Sequence, residues 1–426
     1  MTELRLLAAG EEAVWPLSFH QRGRVLRDRV RGPLPYNMHL AWNVDGYLDA
    51  GRLERRLAVI ASRHPMLRAR LDTSALTQIV EGSVAVPLRV EAGLSDAAAA
   101  ERVTAHARDT AFDRGRAPLW ECLLLQTLSG RQILALTLDH LICDGHSLAQ
   151  ITRELSDDGE VADTPAGGSY GDFVARQQLI CDPGAGDAMT YWREHLAGTA
   201  PDRSISLPFC PRQEAPLSGT VQDQTMTLAG IDVDHLRQRR AQYRVTTFLF
   251  FLAAVMNSLG RLSRESDITV RLPVHDRSPG FASTVGWIAN TVRFRIITAA
   301  DADFERVIDD VRSGWVKQLP HQSIPYDVVA DSLGAPQPFT QRPGVVTVIS
   351  HAAAAPIAAL GARLLPRPRP EGDGQGDEAG LRFSLIEGAE EFTLGCRFDP
   401  ARYARDEIDL ILQAVRELLT GTKQER

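Results

Sequence analysis

The segment Asp139–Gly145, with the sequence DHLICDG, holds the residues of this chain whose types and spacing best suit chemistry. Acyl transfer to an amine or hydroxyl needs a base or a hydrogen-bonding group beside the attacking atom, and His140 can supply one. Asp144 lies four residues further on, and a carboxylate that faces the interior needs a cation or donors to offset its desolvation. We therefore expect a reactive imidazole and a structural carboxylate.

A strand and a helix must position this segment. The sequence QILALTLDH, from Gln132 to His140, alternates as a strand does and places the imidazole at the end of a buried strand. After a turn at Asp144 and Gly145, apolar residues recur at helical spacing, and Ser147 is a candidate N-cap. These apolar residues are Leu148, Ile151 and Leu155.

Three further helices have clear signals in the sequence. Ser18 and Gln21 have the spacing of a capping box, which predicts a first helix. Asp49 can cap a second helix, in which Leu53, Leu57, Ile60 and His64 recur on one face. A C-terminal helix is indicated by the apolar stripe of Ile408, Ile411, Leu412, Val415 and Leu419.

The HxxxDG pattern that begins at His140 resembles the HHxxxDG signature of the condensation domains of nonribosomal peptide synthesis. Five other stretches resemble the remaining motifs of that family in the same order: SFHQ at 18–21, RHPMLRARL at 63–71, SYGDFVARQ at 169–177, VGWIANTVRFR at 285–295 and HQSIPYD at 321–327. AFDRGRAPLWECLLL from Ala111 and YWREHLAG from Tyr191 also follow the family pattern. The resemblance spans nearly the whole chain, and only the seventh motif, around Arg342 and Pro343, is barely recognisable.

The resemblance implies an α/β (α+β) fold of two lobes, each like chloramphenicol acetyltransferase, arranged as a V. The run from Gly198 to Gly219 is rich in proline, which places the boundary between a lobe of residues 1–197 and one of residues 198–426. The resemblance further implies that His140 lies at the bottom of a tunnel between the lobes. A length of 426 residues also favours two lobes over one core.

Roles for individual residues follow from the same resemblance. His140 is the catalytic base or positioning group, and Asp144 is expected to form an ion pair with Arg277, which shapes the loop without joining the chemistry. Gly145 would let the backbone approach the substrate, although an ordinary turn glycine explains it nearly as well. Cys143 could be a nucleophile with His140 as its base, but cysteine is commonly a small buried residue, and we expect burial.

Substrate contacts are less defined. Asn290 could orient a substrate carbonyl or cap a loop, and Trp287 lines the core or the tunnel, with the core favoured. His146 could tune substrate choice, and Ser147 belongs to a second signature described next.

Asp139 replaces the first histidine of the family signature. By strand alternation its side chain should face away from His140, so catalysis need not be lost. Asp139, Asp144 and Ser147 together also match the DxxxxDxxS signature of the related heterocyclisation domains, which condense and then cyclise Cys, Ser or Thr. Simple condensation is favoured by His140 and Gly145, and a relative that binds another protein without catalysis is a further alternative.

The implied donor is an acyl or aminoacyl thioester on the phosphopantetheine arm of a carrier protein, with CoA as an alternative, and no permanently bound cofactor or metal is expected. The acceptor would be a small-molecule amine or alcohol, giving an amide or an ester. The chain contains no GxSxG elbow and no phosphate-binding glycine loop, and no stretch resembles a carrier, adenylation or thioesterase domain, which favours a free-standing enzyme. The resemblance implies that two lobes of one chain form the site, so a monomer is expected.

Charge and composition exclude several other classes of protein. The formal net charge of -7 argues against a nucleic-acid partner. The five cysteines include no CxxC pair, so neither a zinc site nor a disulfide framework is indicated. The N-terminus lacks the features of a signal peptide and no apolar run is long enough for a membrane span, so we expect a cytoplasmic protein.

Overall fold

The computed structural model of the chain describes residues 11–33, 35–156, 168–181, 187–198, 207, 218, 220–275, 277–333, 345–367 and 380–422. The connecting stretches predicted at 156–168, 198–219 and 367–380 lie mostly outside these residues, as do Arg342 and Pro343. The predicted mixed α/β character is confirmed, because strands and helices alternate along the chain.

The strands, in chain order, are β1 (Ala13–Pro16), β2 (Asn37–Asp45), β3 (Ala69–Asp72), β4 (Thr77–Val80), β5 (Leu88–Leu94), β6 (Trp120–Thr127), β7 (Gln132–Asp139), β8 (Gln222–Ala229), β9 (Asp267–Val274), β10 (Asn290–Ile297), β11 (Val346–Ala352), β12 (Ile357–Ala359), β13 (Ala362–Pro366), β14 (Leu381–Glu387) and β15 (Glu391–Phe398).

The α-helices are α1 (Phe19–Arg31), α2 (Ala50–Arg63), α3 (Asp96–Asp109), α4 (Gly145–Leu155), α5 (Tyr170–Ile180), α6 (Asp187–His195), α7 (Ile231–Tyr243), α8 (Thr247–Ser263), α9 (Phe304–Gln318), α10 (Tyr326–Ser332) and α11 (Arg405–Thr420). Short 3-10 helices span Pro65–Arg68, His140–Ile142, Pro279–Phe281 and Leu319–His321.

The chain divides into two compact units that do not follow the single boundary expected after residue 197. Unit 1 comprises Met1–Pro183, His275–Ala289 and Ala354–Gln375, and unit 2 comprises Gly184–Val274, Asn290–Ala353 and Gly376–Arg426. The segment Ala354–Gln375 belongs to unit 1 because its strand β13 pairs with β2. The segment His275–Ala289 belongs to unit 1, where its Arg277 binds Asp144. Pairing between distant segments therefore sets the division, and a linker search along the sequence could not detect it.

Unit 1 contains a sheet of the order β12-β13-β2-β7-β6-β5 and a small sheet of the order β1-β4-β3. The central strand β7 lies between β2 and β6 and is antiparallel to both. Its two faces belong to different cores: Leu134, Leu136 and Leu138 pack in the larger cluster, and Ile133 and Ala135 pack in the smaller one. The predicted alternation is thus present, but both faces are buried.

Unit 2 contains a sheet of the order β10-β9-β11-β14-β15-β8, with α8 and α11 packed in its core. All five residues of the apolar stripe predicted in the C-terminal helix are buried in α11. Helix α8 is buried along almost its whole length, from Leu249 to Gly260. The apolar helix α8 is therefore the centre of this core.

The predicted helix starts are largely confirmed. Ser18 and Gln21 form the capping box of α1, and Asp49 accepts a hydrogen bond from the N–H of Arg52 at the start of α2. The prediction for α4 was wrong in one respect, because Asp144 is the N-cap and accepts from the N–H of Ser147. The carboxylate of Asp144 is the stronger acceptor, so Ser147 becomes the third helical residue.

By length and apolar composition, none of the helices in the described ranges could cross a membrane alone. Helices α7 and α8 would satisfy the same criteria if they are taken together, but they are bent by 96° at the break between them.

The substitution Phe251→Ala tests the packing of unit 2. Phe251 is completely buried in α8, so its truncation should leave a cavity and lower the free energy of unfolding by about 3–5 kcal/mol. Urea unfolding followed by circular dichroism measures this loss. The matched control Val316→Ala, at a side chain that is 65% exposed, should change stability by less than about 0.5 kcal/mol. Equal effects of the two substitutions would contradict this packing.

Candidate active site

His140 follows the last residue of β7 and begins a 3-10 turn. Asp139 caps this turn, with its Oδ1 accepting from the N–H of Leu141 at 2.9 Å. The register of β2 and β7 pairs Asn37 with Asp139, so Tyr36 lies beside His140. The N–H of His140 donates to the carbonyl of Tyr36 at 2.7 Å, which extends the ladder by one bond. The predicted strand-end position of His140 is therefore present.

Two aromatic rings hold the imidazole of His140. The Tyr36 ring is stacked on it, with centroids 4.4 Å apart and an interplanar angle of 5°. The Trp287 ring is tilted by 50° at a centroid distance of 4.7 Å. Trp287 also lies 5.6 Å from the ring of His20. Trp287, which the sequence left between core and substrate contact, therefore borders the imidazole directly.

The environment of His140 keeps its imidazole neutral. The ring lies deep among protein atoms, and part of the residue's surface is still accessible to solvent. Burial lowers the pKa of His140 from 6.5 to about 4, although backbone groups nearby and the carboxylates of Asp144 and Asp139 act in the opposite direction. Within the described ranges, no group forms a hydrogen bond with Nδ1. A neutral imidazole can accept a proton at neutral pH.

The predicted ion pair between Asp144 and Arg277 is confirmed. The guanidinium Nη2 lies 2.7 Å from Oδ1 of Asp144, and the two side chains are only 5% and 1% exposed. Burial alone would raise the pKa of Asp144, but Arg277 and several hydrogen bonds hold that pKa below its ordinary value of 3.8. The carboxylate is therefore charged at neutral pH and fully compensated.

Asp144 also fixes the loop that precedes β10. Its Oδ2 accepts from the N–H groups of Ile288 at 3.1 Å and Ala289 at 2.9 Å. Arg277 in turn donates to the carbonyls of Phe281 and Thr284. One buried carboxylate thus joins the helix α4 to the segment that carries Trp287.

Ser147 belongs to this same network. Its Oγ lies 2.8 Å from Oδ1 of Asp144 and 2.9 Å from the carbonyl of Gly286, and it accepts from the N–H of Gly286 at 3.0 Å. A Cβ at Gly286 would lie 2.2 Å from the Tyr170 ring, so this position needs glycine. Ser147, which the sequence grouped with substrate-binding residues, is completely buried and its hydroxyl is used within the fold.

Gly145 is exposed at the first position of α4, and a Cβ built there would meet no atom within 4 Å. The fold described here therefore gives no steric reason for glycine at this position. Open space beside the residue that follows Asp144 is compatible with the close substrate approach that the sequence suggested.

Asn290 and His146 make defined contacts with the backbone. In unit 2, the amide nitrogen of Asn290 donates to the carbonyls of Gln322 at 2.6 Å and Ile324 at 2.8 Å, which matches the loop-capping interpretation. In unit 1, Nε2 of His146 lies 2.8 Å from the carbonyl of Ala282. Both contacts favour structural roles.

Asp139 and Cys143 are both buried. Oδ2 of Asp139 accepts from Nε of Arg114 at 2.9 Å, so the carboxylate that replaces the family histidine has its own cation. Burial raises the pKa of the Cys143 thiol well above 9.0, which matches the expected buried cysteine and disfavours a thiolate nucleophile. Among the residues that the structure describes, no cluster of His, Cys, Asp or Glu is placed to hold a metal ion.

Sequence reasoning missed several residues around His140. Tyr36 lies in none of the family motifs, Arg114 lies in AFDRGRAPLWECLLL without an assigned role, and Arg24 lies just after the SFHQ motif. Tyr170, within SYGDFVARQ, donates to Oγ of Ser18 and to the carbonyl of Trp287, both at 3.1 Å. Only the register of β2 against β7 could have indicated Tyr36.

The substitution Arg277→Met tests the buried ion pair. It leaves the Asp144 carboxylate buried without its cation, so the free energy of unfolding at neutral pH should fall by about 3–5 kcal/mol. In the wild type, the lowered pKa of Asp144 contributes stability above pH 3.8, and this contribution is lost as the pH falls through the lowered pKa. In the variant, burial raises this pKa with less opposition, so the stability deficit should shrink as the pH is lowered.

Urea unfolding at several pH values measures both effects. Arg312→Met is the matched control, because the Arg312–Asp309 pair is about half exposed and should contribute less than about 1 kcal/mol. A deficit for Arg277→Met equal to that of the control, at every pH, would show that the pair does not stabilise the fold.

Comparison with known proteins identifies the family. The model of the Condensation domain family matches residues 11–355. Phosphinothricin tripeptide synthetase PhsC of Streptomyces viridochromogenes is 27% identical over 345 residues, which is 77% of this chain and 32% of PhsC. The isonitrile lipopeptide synthase of Mycobacterium tuberculosis is 26% identical over 370 residues, which is 81% of this chain and 14% of the synthase. The chain thus spans a third or less of these relatives.

Solved structures share the fold at low sequence identity. The X-domain in its complex with OxyB from teicoplanin biosynthesis has a TM-score of 0.81 at 20% identity, covering 99% of this chain and 96% of that one. The first condensation domain of the calcium-dependent antibiotic synthetase, with a substrate analogue, has a TM-score of 0.76 at 19% identity, covering 96% of each chain. With a family model matched over most of its length, this chain belongs to the condensation-domain family of nonribosomal peptide synthesis.

Proposed function

We propose that this chain catalyses condensation of a thioester-bound acyl or aminoacyl group with an amine or hydroxyl nucleophile, with His140 as the base or positioning group. The observation that carries the proposal is the imidazole of His140 at the end of β7, which burial keeps neutral in a residue that is still partly accessible to solvent. Membership of the condensation-domain family supports acyl transfer as the reaction class.

The proposed step replaces the C–S bond of the thioester by a C–N or C–O bond and moves one proton from the acceptor to the thiol. The nitrogen or oxygen of the acceptor attacks the thioester carbonyl, the C–S bond breaks, and the thiol leaves with the proton that the acceptor loses. An α-amine is partly neutral near its pKa of about 8, so it needs orientation more than proton removal. A hydroxyl needs a base, and the lowered pKa of His140 keeps its imidazole available for that role.

The donor carrier is part of the proposal. We propose the phosphopantetheine arm of a carrier protein as the usual carrier, because the matched relatives are named as peptide synthetases. CoA is the alternative, since the starter condensation domain of rhizomide synthetase RzmA, with a TM-score of 0.78 to this chain, was solved in complex with C8-CoA. Free-standing, monomeric action in the cytoplasm completes the proposal.

The first experiment compares the wild type with His140→Ala. Octanoyl-CoA and octanoyl-pantetheine are offered separately with the twenty amino acids as acceptors, thiol release is followed with a thiol reagent, and products are identified by mass. We expect His140→Ala to lower the rate by more than about tenfold, equivalent to about 1.4 kcal/mol in the barrier. His235→Ala, on α7 of unit 2, is the matched control and should retain the wild-type rate.

The same experiment separates the alternatives. Loss of one further water from a cysteine adduct would identify heterocyclisation, the reaction suggested by Asp139, Asp144 and Ser147. Product formation that is equal in His140→Ala and the wild type would exclude His140 as the catalytic group. If neither protein forms product, the similarity to an X-domain that was solved in complex with OxyB would favour a protein-binding function.

The pH dependence of the reaction with a hydroxyl acceptor is a second test. Because burial lowers the pKa of His140 to about 4, the imidazole should be neutral at any higher pH, and the rate should not fall between about pH 8 and about pH 6. The loss of rate should begin only as the pH approaches 4. Initial rates at constant ionic strength measure this profile, and a half-maximal rate near pH 6.5, typical of an exposed histidine, would contradict it.

A further inference from the structure

A ring of contacts in unit 1 begins and ends at the dipeptide Asp139–His140. From His140, the stacked Tyr36 ring is the first contact, with centroids 4.4 Å apart. The guanidinium carbon of Arg24 lies 4.3 Å from the centre of the same Tyr36 ring, a distance at which a cation is attracted to an aromatic ring. Arg24 therefore connects the aromatic stack to a group of charged side chains.

Those charged side chains lead back to Asp139. Nε of Arg24 lies 2.9 Å from Asp28, Nη1 of Arg114 lies 2.5 Å from Asp28, and Nε of Arg114 lies 2.9 Å from Asp139. Burial opposes the charge on Arg114, but Asp139 and Asp28 raise its pKa, so it stays charged. The ring is closed by the peptide bond between Asp139 and His140.

The members of this ring depend on one another. Arg24, Asp28 and Asp139 are 5%, 9% and 3% exposed, so the loss of one charge weakens the electrostatic compensation of a buried partner. Nδ1 of the imidazole is buried and has no well-aligned partner in the part of the chain described, although backbone groups of His140 and Cys143 lie close enough to the imidazole to raise its pKa. Stacking on Tyr36 and the contact with Trp287 therefore contribute to the orientation of the imidazole.

We propose that Arg24, Asp28, Arg114 and Asp139 are positioning residues that hold Tyr36 against His140 and so fix the direction of the imidazole. This inference rests on the proposed function of His140 for its effect on rate. It gives Asp139 a role in place of the family's first histidine, as the anchor for Arg114. The conformational part of the inference can be tested without any substrate.

A cavity beside this ring of contacts allows the test to be made without unfolding the protein. It has a volume of about 700 Å³, and Asp28, Arg114 and Asp139 are among its lining residues. A polar side chain of similar size, such as Asn at position 139, can therefore be hydrated from the cavity and need not unfold the protein. Substitutions of similar volume are the appropriate probes.

The experiment uses the full chain with Tyr36→Leu, Arg24→Met and Asp139→Asn. Histidine labelled at Cε1 gives one NMR signal per residue, and the His140 signal is identified by its absence in His140→Ala. We expect Tyr36→Leu to move this signal most, because the ring current of the stacked tyrosine is lost, and Arg24→Met and Asp139→Asn to move it in the same direction. With octanoyl-pantetheine, we expect kcat to fall by about tenfold or more and KM to change less than about twofold.

Matched controls separate positioning from general damage. Arg22→Met makes the same change at an exposed residue of α1, and Tyr47→Leu makes the same change at a tyrosine that is 66% exposed. Both should leave the His140 signal and kcat at wild-type values. Tyr36→Phe keeps the aromatic ring and should restore the signal and most of the kcat lost in Tyr36→Leu.

Two outcomes would overturn the inference. One is a His140 signal that stays in place in Arg24→Met and Asp139→Asn, at unfolding midpoints close to that of the wild type. The other is a displaced signal with unchanged kcat. If neither the wild type nor any variant forms product, the proposed function fails. The NMR signals alone still decide whether this ring of contacts orients His140.

Discussion

The buried carboxylate of Asp144 is the contact on which the geometry of unit 1 around His140 depends. It begins α4, pairs with Arg277 and accepts from the N–H groups of Ile288 and Ala289. A charge in this position is too costly to leave unpaired, so the segment 275–289 must return to it. Because that segment carries Trp287, the hydrogen bonds and ion pair of Asp144 also place the indole ring beside the imidazole of His140.

The second constraint is the register of β2 and β7. Antiparallel pairing of Asn37 with Asp139 brings Tyr36 beside His140, and the two rings are nearly parallel. In many enzymes a carboxylate orients a catalytic histidine through Nδ1. Here the nearby carboxylates have other partners: Asp144 binds Arg277, and Asp139 binds Arg114. The aromatic contacts with Tyr36 and Trp287 therefore contribute to the orientation of the imidazole.

The departure of this chain from the family signature has a local explanation. Where the family has a histidine, Asp139 is buried, caps the 3-10 turn and binds Arg114. Arg114 is shared with Asp28, and Asp28 with Arg24. A carboxylate at this position is thus accompanied by the cation that it needs, at the end of the strand that precedes His140.

The sequence by itself determined the local features: the capping box of α1, the apolar stripe of α11, the strand that ends before His140 and the motif order that identified the family. These depend on residues close together in the chain, so periodicity and side-chain type suffice to predict them. The resemblance also supplied the Asp144–Arg277 pair. Tertiary structure decided which residue caps α4, that Ser147 is used within the fold, and how the units are divided.

The partners of His140 were also beyond the reach of the sequence. Tyr36 and Arg24 are more than a hundred residues from His140, and nothing in their own segments indicates the contact. Strand register and the return of β13 to β2 bring distant segments together through hydrogen bonds that any backbone can form. Such pairings are selected by the packing of the whole unit, which is why only the folded chain shows the charged ring behind the imidazole.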